Sequence, residues 1–221
     1  MLKSQGFFKA QQKISSSKID SLLECIEQIK PNHSYPKSIR YRKNKLYAIR
    51  NLIQISSPIK DILSDTIIKN ICRGSVIIHS LLFDKITEAN FRVPFHQDIV
   101  MPHHGADKIV TNVPHKNLPP EILEQLIVMR IHLDDNNIDN GPLQVIPQTH
   151  SQGIISDKGI SNIVQKKNKH VCTMLRGEIL LMKPLLLHSS NRSSSHKHRR
   201  VIHLVFAPRS LQIPWFFSES L

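Results

Sequence analysis

The apolar positions of this chain change rhythm near Gly74. Before it, Ile19, Leu22, Leu23, Ile26 and Ile29 recur at steps of three and four. That spacing predicts an amphipathic helix opening near Ser16 and stopped by Pro31. A second helix is expected from Pro58 through Ile68, with Ile59, Ile62, Leu63 and Ile67 on its buried side. Residues 1–15 are polar apart from one Phe pair and are expected to be loosely ordered. Residues 32–45 look like a basic loop, and Leu46 to Leu52 fits a short strand or a turn of helix.

After Gly74 the pattern becomes that of strands. Ser75 to Lys85 is β-branched, Thr87 to Asn90 is a turn, and Val93 to Asp98 is extended. From Leu126 to Leu133, alternation puts Ile127, Met129, Ile131 and Leu133 on one face and Val128, Arg130 and His132 on the other. Leu143 to Pro147, Val171 to Leu175, Glu178 to Met182 and Val201 to Phe206 complete the run. Residues 101–119 read as a long active-site loop, followed by a helical turn over Pro119–Gln125. Residues 151–169 read as a second polar loop, with a helical turn near Ile160–Val164. Helices followed by many short strands argue for an α+β, mainly β fold: an antiparallel barrel or sandwich packed by N-terminal helices. A length of 221 residues suits one domain, with a helical region over 1–72 and the strand-rich core over 73–210.

Composition changes this picture little. The formal net charge of +13 is high, but the basic clusters Lys37–Lys45, Lys166–Lys169 and His196–Arg200 are scattered, and no aromatic residues interleave them. A solvated basic surface is favoured over a nucleic-acid footprint; an acidic small substrate is the other use for such charge. Cys25, Cys72 and Cys172 show neither zinc nor disulfide spacing, which fits a reducing, cytoplasmic setting. Met1 to Ala10 lacks the apolar core of a signal peptide. The most apolar stretch, Ile179 to Leu187, is short and broken by Lys183 and Pro184, so no membrane span is expected.

The candidate chemistry centres on Val93-Pro94-Phe95-His96-Gln97-Asp98. On a strand, residues i and i+2 share a face, so His96 and Asp98 can bind one metal ion from one side. The best third ligand is His188, after the apolar run Leu185-Leu186-Leu187. Two histidines and one carboxylate with open positions is the arrangement of non-haem Fe(II) oxygenases. Alternation places Arg199, Val201, His203 and Val205 on one face. An arginine inside a barrel is an expensive orphan unless it meets an anion, and its fork matches a carboxylate such as the distal one of 2-oxoglutarate. Of Arg199 and Arg200, one is expected to be a surface charge.

These residues, in order, resemble the phytanoyl-CoA dioxygenase family of Fe(II)/2-oxoglutarate oxygenases. The resemblance rests on six blocks between about Gly74 and Pro208: Leu82 to Lys85, Val93 to Asp98, Arg130 to Asp135, Asn140 to Pro147, Gly177 to Met182, and His188 to Asn191 continuing to Arg199-Arg200. It implies a double-stranded β-helix (jelly-roll, cupin-like) core. It implies His96, Asp98 and His188 as iron ligands, Arg199, eleven residues after His188, as the 2-oxoglutarate arginine, and Ser190 as a helper; Gln97 is a further candidate for that pocket. The implied reaction oxidises a C–H bond of a small molecule with O2, releasing succinate and CO2. Two departures from the family pattern are Pro147-Gln148-Thr149-His150, where relatives carry Pro-Gly-Ser-His, and Phe95, where Trp is common. Arg130, His132 and Lys85 are candidates for the substrate pocket, Lys85 also for the cosubstrate. His103, His104 and His115 fit no zinc pattern. A silent basic jelly-roll binder and a nucleic-acid-modifying oxygenase are the competing readings.

Overall fold

The strand grammar after Gly74 builds two antiparallel sheets. In the computed structural model, residues 1–30, 38–64, 66–102 and 115–211 are described. The chain runs α1 (Leu2–Gln5), β1 (Phe7–Lys13), α2 (Ser16–Glu27), β2 (Ile39–Arg42), β3 (Lys45–Arg50), α3 (Leu52–Ile55), α4 (Ser57–Leu63), α5 (Thr66–Ile71) and β4 (Ser75–Lys85). It continues with β5 (Val93–His96), β6 (Val100–Pro102), β7 (His115–Asn117), α6 (Pro120–Leu123), β8 (Ile127–His132) and β9 (Leu143–Val145). Then come α7 (Asp157–Lys166), β10 (His170–Cys172), β11 (Glu178–Met182), β12 (His188–Ser190) and β13 (Arg199–Pro208). The large sheet has the order β1-β11-β8-β13-β4-β3-β2 and the small one β10-β9-β12-β5. Together with the N-terminal helices they form the jelly-roll expected from the resemblance.

The central strands of the large sheet, β4, β8, β11 and β13, are buried on both faces, and alternation sorts their side chains between two cores. Met129, Ile131, Leu133, Ile179, Leu181, Ile202, Leu204 and Phe206 pack with Ile19, Leu22, Ile59 and Leu63 of the helices. Val128, Leu180, Met182 and Val205 pack with Leu143, Val145 and Cys172 of the small sheet. The polar residues Lys85, Arg130, His132, Arg199 and His203 are buried with little exposure in the same strands. Each large aliphatic side chain taken from water contributes about 1.5–3 kcal/mol, and that burial carries the cost of the polar layer.

Several local expectations are corrected. Residues 7–13 form β1, an edge strand on β11, rather than a loose segment. Residues 39–42, expected in a basic loop, form β2, paired with β3 through a tight turn at Lys43 and Asn44, both at positive φ. The helix expected over Pro58–Ile68 is two short ones, because Ser64 leaves helical geometry and its hydroxyl bonds back to the Lys60 carbonyl at 3.0 Å. The second polar loop contains a ten-residue helix, α7, capped by Ser156. Most of the expected loop 101–119 lies outside the described residues; its ends pair as β6 and β7. Pro31 also lies outside them. Among the described residues, no helix is long and apolar enough to cross a membrane.

Candidate active site

His96 and His188 meet as direct register partners where β5 pairs with β12. Their ring centroids are 4.2 Å apart. Each ring is held the same way: His96 Nδ1 lies 2.9 Å from the Pro94 carbonyl and His188 Nδ1 2.9 Å from the Leu186 carbonyl. A carbonyl only accepts, so each Nδ1 carries the proton and each Nε2 presents a lone pair. Both Nε2 atoms face Asp98 Oδ1, at 3.5 Å from His96 and 3.6 Å from His188.

Asp98 lies just beyond the end of β5 and turns to the same side as His96, two residues before it, as expected. Its backbone N–H donates to the Pro184 carbonyl at 2.9 Å, which anchors the segment there. Gln97 is turned away from the cavity. Its amide donates to the Gly153 and Leu185 carbonyls and accepts from the Ile155 N–H, which ties two loops together and uses up its polar atoms. The expectation that Gln97 lines the cosubstrate pocket is therefore not met.

One ligand atom each from His96, Asp98 and His188 lies within 4.8 Å of the others, an arrangement that could hold a metal ion. Asp98 Oδ2 is buried and has no hydrogen-bond partner. Nearby, His203 Nδ1 lies 3.1 Å from Arg130 Nη1. Arginine can only donate, so this Nδ1 accepts and the proton sits on Nε2, 3.9 Å from Asp98 Oδ2. Burial opposes the charged forms of His188 and His203, pushing them down to about 4 and about 3 despite the pull of Asp98. Asp98 is held well below the usual carboxylate range: burial opposes this, but His188, His96 and His203 outweigh it. The neutral His188 and ionised Asp98 are the protonation states a metal requires.

The triad opens on a cavity of about 300 Å³. Arg199, Arg130, Ser190 and His203 line it, with His79, Phe83 and Phe91. Arg199 is 3% exposed, and its Nε and Nη1 have no partner. Burial, reinforced by Arg130, pushes its guanidinium down to about 9. Lys85 is fully buried, donates to Ser190 Oγ at 2.9 Å and contacts the Asn191 carbonyl. Burial and the charges of Arg199 and Arg130 push it down to about 7. His132 lies behind the cavity wall, with neither ring nitrogen partnered, and burial and the same two arginines lower it well below 6.5. Arg200 faces the other way, forked onto Asp134 at 3.0 and 2.7 Å, so only Arg199 of the two faces the cavity. Arg200 is not the surface charge expected, since its side chain is largely buried in that ion pair. His103 and His104 lie outside the described residues, as does the side chain of His115.

Three contributors were not singled out from the sequence. His203 shares the alternation of Arg199 and could have been found by it, and His79 shares that of Lys85. Thr149 carried no signal. It donates to the Ile146 carbonyl at 2.7 Å and accepts from the Leu187 N–H at 2.9 Å, which clamps the residue before His188. His150 is structural, with Nε2 on the Lys3 carbonyl at 3.0 Å.

The phytanoyl-CoA dioxygenase family model matches residues 27–201. No curated protein matches the chain significantly in sequence. Among solved structures the chain is similar to apo EctD from S. alaskensis, with a TM-score of 0.73 and 17% identity, covering 99% of this chain and 81% of that one. It is similar to AviO1 from Streptomyces viridochromogenes Tue57, with a TM-score of 0.70, 17% identity and coverage of 97% and 94%. It is also similar to the epimerase SnoN in complex with Fe3+, alpha ketoglutarate and nogalamycin RO, with a TM-score of 0.72, 10% identity and coverage of 93% and 80%. At such identities these likenesses concern the fold. The family match and the two-histidine, one-carboxylate triad together give the conclusion: the chain belongs to the phytanoyl-CoA dioxygenase (PhyH) family, and it is an oxidoreductase of the Fe(II)/2-oxoglutarate-dependent oxygenase type.

Proposed function

We propose that His96, Asp98 and His188 hold the Fe(II) of a dioxygenase acting on a C–H bond of a small molecule, and that Arg199 grips the distal carboxylate of 2-oxoglutarate. The observation that carries this is the pair of unpartnered nitrogens on Arg199, buried in the same cavity as the triad. A buried guanidinium without an acceptor costs several kcal/mol, roughly 3–5 when a pair is broken. A carboxylate removes that cost with two parallel bonds. Ser190 lines the cavity beside Arg199, and Lys85, behind it, holds its hydroxyl at 2.9 Å. EctD has been solved with 2-oxoglutarate and 5-hydroxyectoine, and a similar use of the diacid is extended here to this chain.

The bound iron would supply the oxidation, activating O2 with the electrons released as 2-oxoglutarate is decarboxylated to succinate. The chain's own share is positional. The Pro94 and Leu186 carbonyls fix both imidazole tautomers. His203, held by Arg130, presents its Nε2–H on the side of Asp98 Oδ2, 3.9 Å away. Phe83, Phe91, Leu143 and Val205 give the cavity apolar walls that limit water. The test is succinate formation from 2-oxoglutarate with Fe(II) and O2. Wild type should turn over, and His96→Ala and Arg199→Ala should each lose at least about a hundredfold. Equal turnover in either variant would count against the assignment.

A further inference from the structure

We propose that Arg130 recognises a carboxylate on the primary substrate, so that this oxygenase acts on small organic anions. The inference rests on the iron and 2-oxoglutarate reading above and adds the substrate class to it.

Among the described residues, the charged side chains lining the cavity are Asp98, Arg50, Arg130 and Arg199. Fe(II) and the 2-oxoglutarate dianion cancel each other. Asp98 then offsets only one of the two guanidiniums Arg130 and Arg199, so these groups sum to one positive charge. Because the cosubstrate carboxylate sits on Arg199, the guanidinium without a ligand partner is that of Arg130. Arg130 is left over, before the half-buried Arg50 is counted. It is 6% exposed. Its Nη1 is spent on His203, but its Nε has no partner. Asp98 does not pair with it directly: His203 stands between them, 3.1 Å from Arg130 and 3.9 Å from Asp98.

Water in the open cavity can solvate this surplus charge. A substrate must expel that water to react. A neutral one would leave Arg130 dry and uncompensated, whereas a carboxylate would complete a planar fork and neutralise it. A cavity of about 300 Å³ lies at the small end of ligand pockets, and 2-oxoglutarate takes part of it. The chemistry favoured is a compact molecule with one carboxylate, placed by that group beside the triad.

The test uses the full chain with Fe(II) and 2-oxoglutarate under anaerobic conditions, followed by the visible charge-transfer absorption of the iron–keto-acid complex. Propionate and propionamide, alike in size and shape, are titrated separately. Propionate should shift the band at concentrations at least about tenfold lower than propionamide. Arg130→Met should erase that preference, and Arg130→Lys, which keeps the charge and a donor for His203, should keep part of it. Equal responses to acid and amide in wild type would overturn the proposal. So would disappearance of the band with propionate, which means displacement at Arg199, or an unchanged preference in Arg130→Met. If Arg130→Met does not fold, the wild-type and Arg130→Lys titrations decide alone. Absence of any band in wild type is a different failure: it removes the cosubstrate reading itself.

Discussion

Lys85 and Arg199 are register partners on adjacent strands, two cations side by side where almost no solvent reaches. No stable core is improved by such a pair alone, and both groups are pushed down from their ordinary values. The arrangement makes sense as half of a binding event, with the anion as the other half.

Arg199→Met follows directly. Without ligand, the variant should be as stable as wild type or more so, by up to about 1–4 kcal/mol, because an uncompensated charge is replaced by an apolar side chain. Saturating 2-oxoglutarate with Fe(II) should raise the melting temperature of wild type, by the equivalent of about 2.7 kcal/mol at a hundred times Kd, and leave the variant unmoved. Thermal unfolding with and without the diacid checks both halves.

Thr149 connects the turn to the segment that carries His188. Its hydroxyl satisfies Ile146 and Leu187, the latter next to His188. Thr149→Val keeps the shape and loses both bonds, so a cost of about 1–3 kcal/mol in stability is expected. An iron affinity about tenfold weaker should accompany it, and Thr149→Ser should restore both. Urea unfolding and metal titration of the two variants provide the check.

Gln148 adopts φ 68°, in the left-handed region that favours glycine. The left-handed region costs a side-chain-bearing residue about 1–2 kcal/mol, and glycine's extra chain entropy returns about 0.5–1 of that. Gln148→Gly should therefore stabilise by roughly 0.5–1 kcal/mol. Loss of stability in urea would show that the side chain contributes more than the strain.

His198 makes stability depend on pH. Its Nδ1 lies 2.6 Å from Asp84 Oδ2, and this bond, aided by Asp134 and opposed by burial and by Arg200, raises it above its ordinary 6.5. A raised histidine stabilises fully below its unfolded value and loses that contribution as pH rises through the folded value. The difference in melting temperature between wild type and His198→Gln should be larger at pH 5.5 than at pH 8.5. Because the imidazole is about half exposed, the effect should be modest and weakened by salt.

The site was more legible in the sequence than the sheet that carries it. His188 and Arg199 could be found because alternation and an apolar approach mark inward positions in inner strands, and His96, on the edge strand β5, because of its spacing to Asp98. Asp98 could be found from its two-residue spacing after His96, whereas the backbone bond to Pro184 that anchors it is announced by no local pattern. β1 and β2 went unseen because they are the two edges of the large sheet. Edge strands carry lysine, arginine and glutamine to discourage further pairing, and β1 buries only Ala10. Gln97 was misplaced because a polar residue inside a metal motif says nothing about which way its amide points. Arg130 and His132 were seen to share a face, but the charge surplus there emerges only once the neighbouring strands are paired.

The most direct test of the account is an anaerobic Fe(II) titration of wild type and of His96→Ala, Asp98→Ala and His188→Ala, read as ions bound per chain. The account predicts one ion for wild type and an affinity lower by at least about a hundredfold in every variant. Wild-type affinity in any of the three, or no stoichiometric binding in wild type, would contradict it.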